Sequence, residues 1–369
     1  MKTRRLLGFT VACALTFAFA RVASAYQDEG HLFTTAGVVY LSAPTTEFVG
    51  DPPRTLTADV AHNPDALRII VLCSQLPDQT LEYDAIQVVH HSLSLGSQSG
   101  GNWLRWVQQD LHALTGGSRA LIRTAGEQIV TQAHHTALAG KGDFADYCAL
   151  GFAIHFLGDS YAHYPFDDEG HMYKSPVGHA GDRHQPDLPA YDADGSHGFT
   201  NWSAYVAALS RALELPSCSG IGACPNAISD LEMQFKAALD ANILSRDLWG
   251  ELSDWRANRT EESGQTAERA AIRNVLAKSA NPAPPTTVPD ATGGIIEANE
   301  PCDAYLARSL TTPGGFRFVA GNPGPGMCAE VWKRYTAIAG KILTAQPDEA
   351  FASPSDRANA QPDNAGYPP

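Results

Sequence analysis

The stretch DFADYCALGFAIHFLGDSYAHY, Asp143 to Tyr164, decides the fold class. Its apolar residues follow helical spacing rather than the alternation of a strand. Inside it, His155, Asp159 and His163 stand four residues apart. At ~3.6 residues per turn and a rise of ~1.5 Å per residue, they form one stripe, each about 6 Å from the next. A stripe of nitrogen, oxygen and nitrogen donors can hold a metal. The rival reading is an aspartate hydrogen-bonded between two satisfied imidazoles.

The same periodicity extends outward along the chain. Asn63-Pro64-Asp65 opens an apolar run that stops at Pro77, an N-cap, a proline at the first helical position and a breaker, with Asp78 just beyond. Further helical patterns cover about 102–114, 118–138, 202–213, 227–248, 266–280 and 331–343. Alternating patterns are almost absent, so the chain reads as mainly α. Residues 166–201, rich in Gly, Pro, Asp and His, are too long for a simple connection and predict a functional loop. The expected organisation is a helical domain over 26–280, a Pro/Ala/Thr linker over 281–295, a small cysteine-bearing lobe over 296–345 and a disordered tail over 346–369.

Lys2, Arg4 and Arg5 precede an apolar run from Leu6 to Ala20 and then Ala23-Ser24-Ala25, the pattern of a signal peptide cleaved before Tyr26. The run is short for a membrane anchor, Arg21 interrupts it, and no later stretch reaches spanning length. A secreted or periplasmic protein without a stable membrane span is expected. The leader carries four basic residues and no acidic ones, which leaves 22 Lys+Arg against 40 Asp+Glu. Such a surface repels phosphate polymers unless bound cations reverse the field locally. Cys13 leaves with the leader, and the other six cysteines form an even set for which disulfides are expected. Cys218 with Cys224 would close a small loop and Cys302 with Cys328 a longer one. Cys73 and Cys148, both in apolar helical patterns, fit a bridge between packed helices or two buried thiols.

Other candidate donors surround the stripe in sequence. Cleavage would place His31 five residues from a new α-amino group on Tyr26, and an amine with a backbone carbonyl can chelate a cation. Asp78 is followed by His90 and His91. The loop VGHAGDRHQPD supplies His179, Asp182, His184 and Asp187. In this order the elements resemble the zinc-dependent phospholipase C superfamily, which also contains zinc-dependent single-strand nucleases and 3′-nucleotidases. The likeness spans 26–194, about half of the processed chain. Its shared order is a metal-binding terminal amine, an early histidine, an aspartate, a histidine, a His-x-x-x-Asp helix, and further His and carboxylate ligands.

The resemblance implies a multi-helix bundle with two or three zinc ions in a cleft. Asp78, His90 or His91, His155 and Asp159 would hold one ion; Tyr26, His31 and Asp159 another; His163 with His179, His184 or Asp187 a third. Asp78 would double as the base that orients or deprotonates water attacking a phosphodiester, with a phospholipid substrate ahead of single-stranded nucleic acid. A nuclease would also want aromatic platforms for bases, for which Tyr161, Tyr164, Phe166 and Tyr173 are available. Three departures mark a divergent member: Tyr26 where tryptophan is usual, His163 only four residues after Asp159, and Arg183 four residues after His179 where a carboxylate is usual. The reading from another class is an exported zinc-binding protein without catalysis.

Overall fold

The computed structural model of the chain describes residues 31, 34–35, 38, 64–85, 87–88, 97–139, 143–165, 170–176, 178, 200–214, 301–311 and 323–358. Within these residues the protein is mainly helical. The elements are α1 (Pro64–Gln75), continued by a 3-10 turn at Leu76–Gln79; α2 (Ser97–Trp106), continued by a π turn at Val107–Leu111; α3 (Arg119–Ala139); α4 (Phe144–Ala162); α5 (Thr200–Ala212); α6 (Cys302–Thr311); α7 (Met327–Thr344); and α8 (Pro354–Ala358). Among the described residues, β pairing is confined to isolated bridges. The helical stretches expected at 227–248 and 266–280, the linker at 281–295, the leader, and Cys218 with Cys224 lie outside the described residues.

The quoted stretch is the central helix. Every residue of α4 from Tyr147 to Ala162 is buried, as befits a largely apolar helix whose only polar interruptions lie at His155, Asp159 and Ser160 in that span. Helices α1, α3, α5 and α7 pack around it. Asp143 caps its start, the carboxylate accepting from the Asp146 backbone N–H at 3.0 Å. At its other end Arg123 donates to the carbonyls of Ser160 (3.2 Å) and Tyr161 (3.5 Å), placing positive charge at the negative pole of the helix.

Helix α1 approaches α4 closely because position 151 is glycine. A Cβ there would stand 2.6 Å from the Cβ of Cys73 and 2.8 Å from the carbonyl oxygen of Ile70. At the same crossing Cys73 and Cys148 form a disulfide, resolving the two readings of that pair in favour of the bridge. Cys302 and Cys328 form the second expected bridge, between α6 and the start of α7. These bonds belong to an oxidising compartment. No described helix is long and apolar enough to cross a membrane.

The described C-terminal part packs onto the rest of the described fold. Trp332 and Tyr335 of α7 are buried in the same core as α4, with Trp332 stacked on Tyr83 at 5.4 Å and Tyr335 edge-on to Phe152 at 5.8 Å. The described residues after 345 also make contacts with the core. Ala350 and Phe351 are buried, and the segment pairs with the loop before α3: Ser118 N–H donates to the Glu349 carbonyl and Ala352 N–H to the Thr115 carbonyl, at 2.6 and 2.9 Å. Gly117 permits this contact, since a Cβ there would fall 2.1 Å from the Ala350 carbonyl carbon. The polar composition of the tail hid one apolar anchor, and its partner is remote in sequence.

Candidate metal centre

Five of the residues expected to bind metal come together beneath the surface: His31, Asp78, His155, Asp159 and His163 are each at most 3 % exposed. A sixth joins them. His112, directly after the π turn, is fully buried with its Nδ1 3.8 Å from Asp78 Oδ1. Tyr26, His90, His91, His179, Asp182, His184 and Asp187 lie outside the described residues.

Each donor comes from a different local device. The 3-10 turn after α1 contains Asp78, its carboxylate accepting from the Gln75 amide at 3.5 Å. One turn of α4 separates His155 from Asp159. His163 caps the same helix, its backbone N–H donating to the Asp159 carbonyl at 2.8 Å. The π turn delivers His112 and is held by the Tyr335 hydroxyl, which donates to the Asp110 carbonyl. His31 reaches the centre because position 158 is glycine: a Cβ there would stand 2.8 Å from His31 Cε1. Nearby, Trp202 of α5 donates from Nε1 to the Thr34 hydroxyl at 3.0 Å and fastens the His31 segment.

The carboxylate of Asp159 is the hub. Its Oδ1 lies 3.0 Å from His31 Nε2, while Oδ2 lies 2.9 Å from His112 Nδ1 and 3.2 Å from His155 Nε2. Asp78 closes the group from the other side, with Oδ1 3.6 Å from His155 Nε2 and 3.8 Å from His112 Nδ1. Three donors from His31, His155 and Asp159, and three from Asp78, His112 and His155, lie within 4.8 Å of one another in each set.

The backbone decides which ring nitrogens face inward as lone pairs. A carbonyl only accepts, so His155 Nδ1, 2.9 Å from the Ser74 carbonyl, carries its proton there and leaves Nε2 as the acceptor. His112 Nε2 donates likewise to the Tyr83 carbonyl at 2.7 Å and leaves Nδ1. Those two inward nitrogens are 3.2 Å apart, and both face the Asp159 carboxylate. Lone pairs and carboxylates converging in a dry interior repel one another unless a cation or added protons lie between them. Ring nitrogens fixed by backbone carbonyls are also the usual support for zinc-binding histidines. The donor set therefore fits a divalent metal. His163 differs, because its Nδ1 donates to the His112 carbonyl at 2.8 Å, so it buttresses His112 and directs Nε2 elsewhere.

Protonation follows the same geometry. Burial pulls the His155 imidazole down to about 3, against the pull of Asp159, and burial likewise lowers His163. Burial works against ionisation of Asp159, yet the surrounding imidazoles of His155, His163 and His112 hold its carboxyl well below the usual range. His112 is drawn upward: burial opposes its charge, but the hydrogen bond and field of Asp159 outweigh burial. The attraction that favours a proton on His112 favours a metal ion equally.

His112 had a readable trace. In the apolar pattern of 102–114, Gln108, Gln109, Asp110 and His112 are polar intrusions, all buried in the fold. Comparison with known protein families, curated proteins and solved structures finds no match to this chain.

Proposed function

We propose that the protein is an exported, zinc-dependent phosphodiesterase of the phospholipase C type, built on that superfamily's helical bundle. The convergence of His112 Nδ1, His155 Nε2 and the Asp78 and Asp159 carboxylates in one buried group carries this reading. Two nitrogen and two oxygen donors are a coordination set that zinc accepts. In this reading Asp78, His112, His155 and Asp159 hold one ion. His31 and Asp159, with the amine of Tyr26, would hold a second. His163 and residues of the 179–187 loop serve a third. When bound, zinc lowers the pKa of water to about 7 and offsets charge gathering on a phosphoryl oxygen.

The protein's own groups divide the remaining work. Asp159, fully buried and touched by three imidazoles, has no freedom to accept a further proton. Asp78 stands farther from every imidazole and is the carboxylate available to take the proton of an attacking water. Phospholipid is favoured over single-stranded nucleic acid because one face of Tyr161 and one of Tyr164 already carry Arg123 and Arg119, at 4.0 and 4.3 Å, rather than standing open to bases.

The test is metal analysis of processed protein after dialysis, paired with assays on phosphatidylcholine and single-stranded RNA. More than one zinc per chain and release of phosphocholine are expected. Asp78→Asn should abolish turnover while retaining most of the zinc. Cleavage of RNA alone would move the protein to the nuclease branch, and full zinc content without either activity would make it a non-catalytic zinc protein.

A further inference from the structure

A second group of metal-binding side chains lies away from the buried centre. It joins His134 and His135, near the end of α3, to Glu214, just past the end of α5. Eleven residues of helix, about 16 Å, separate His134 from Arg123, which touches the end of α4. The fold aims Glu214 at this spot. Leu213 is anchored in the core, the Thr131 hydroxyl of α3 donates to the Ala212 carbonyl at 3.1 Å, and Glu214 turns back at φ +52°. Its Oε1 then lies 3.0 Å from His135 Nε2.

We infer that His134, His135 and Glu214 form a separate, exchangeable zinc site that clips α3 to the end of α5. One donor atom from each residue lies within 4.8 Å of the other two. A tetrahedral ion with bonds of ~2.0–2.1 Å holds its donors about 3.3 Å apart. The His135 to Glu214 contact, at 3.0 Å, is within a few tenths of an ångström of that separation. His134 is the fixed ligand, buried at 2 % exposure, whereas His135 and Glu214 have side chains 49 % and 57 % exposed and can swing to close the set. Three protein ligands leave one position for water, and exposure gives the ion a route in and out. Two imidazoles and one carboxylate select a transition ion of the zinc type over calcium or magnesium. Helix α5 also carries Trp202, which fastens Thr34, so the clip stiffens the side of the molecule against which the His31 segment rests.

The experiment uses the processed full chain, loaded with zinc and dialysed so that only tightly held metal remains. Zinc is then titrated back by calorimetry and by thermal melting. The unaltered protein should take up one further equivalent and melt at higher temperature. His135→Ala and Glu214→Gln change exposed side chains and should fold normally. Each should weaken the added equivalent at least about tenfold and abolish the rise in melting temperature, while the zinc that survives dialysis is unchanged. Absence of further uptake by the unaltered protein, or equal uptake and equal melting shifts in all three, overturns the site. Because the retained zinc is counted separately, failure here is distinguishable from failure of the buried centre.

Discussion

Single atoms decide whether the buried centre assembles. Gly158 is the clearest case, since the space a methyl group would need is filled by His31 Cε1 at 2.8 Å and Nδ1 at 3.0 Å. Gly158→Ala should push His31 from Asp159 Oδ1 and cost about 1–3 kcal/mol of stability through overpacking. Zinc analysis should show a lower metal content that still retains what Asp78, His112 and His155 would hold. Unchanged zinc content would remove His31 from the metal set. His112→Ala should act on the opposite side, lowering zinc content and abolishing turnover. An intact metal complement in that variant would leave His112 as a packing residue and return the role to His90 or His91.

Pairs of helices set the frame on which those atoms sit. The Cys73–Cys148 disulfide closes 75 residues of chain and joins α1 to α4 beside the Ser74 carbonyl that orients His155. Replacing both cysteines by alanine should cost about 4 kcal/mol in denaturant unfolding. It should also weaken zinc binding, because α1 bears both that carbonyl and, through its 3-10 extension, Asp78. Unaltered zinc affinity would show that packing at Gly151 suffices to hold the two helices in register. At the start of α4, Asp143 accepts from the Asp146 N–H and from Arg334 of α7, the latter at 2.7 Å. Burial raises the Asp143 carboxyl, but these donors outweigh it and hold the group below its ordinary value of 3.8. A depressed folded-state pKa makes this contribution present above the unfolded value and lost as pH falls through the folded one. Asp143→Ala should therefore cost about 1 kcal/mol at neutral pH. The gap between variant and parent in urea melts should close below about pH 4.

Over the whole molecule, the C-terminal segment closes a core begun far upstream. Phe351 is 4 % exposed, and the backbone at 349–352 pairs with residues 115–118 ahead of α3. Ending the chain after Ala345 should remove about 2–3 kcal/mol from Phe351 burial alone and lower the melting temperature. A truncated protein that melts with the full chain would restore the reading of 346–369 as a tail without contacts. The same loop links this closure to the centre, for Thr115 and Gly116 lie only a few residues beyond His112.

The sequence by itself determined the mainly helical class, the central helix and the stripe of His155 and Asp159, because helical periodicity and four-residue spacing are local properties of the chain. It also marked His31, Asp78 and the Cys302–Cys328 bridge, since donor type and cysteine count can be read without a fold. Tertiary structure alone chose between Cys73–Cys148 as a bridge and as buried thiols, because only packing brings those sulfurs together. It alone selected His112, whose inward nitrogen is set by the carbonyl of Tyr83, 29 residues away. It likewise assigned His163 a supporting contact through Nδ1 and drew 349–352 onto the loop before α3. Each of these outcomes depends on hydrogen bonds or apolar contacts between segments distant in the chain, and no local pattern of residues encodes which distant carbonyl a ring nitrogen will meet.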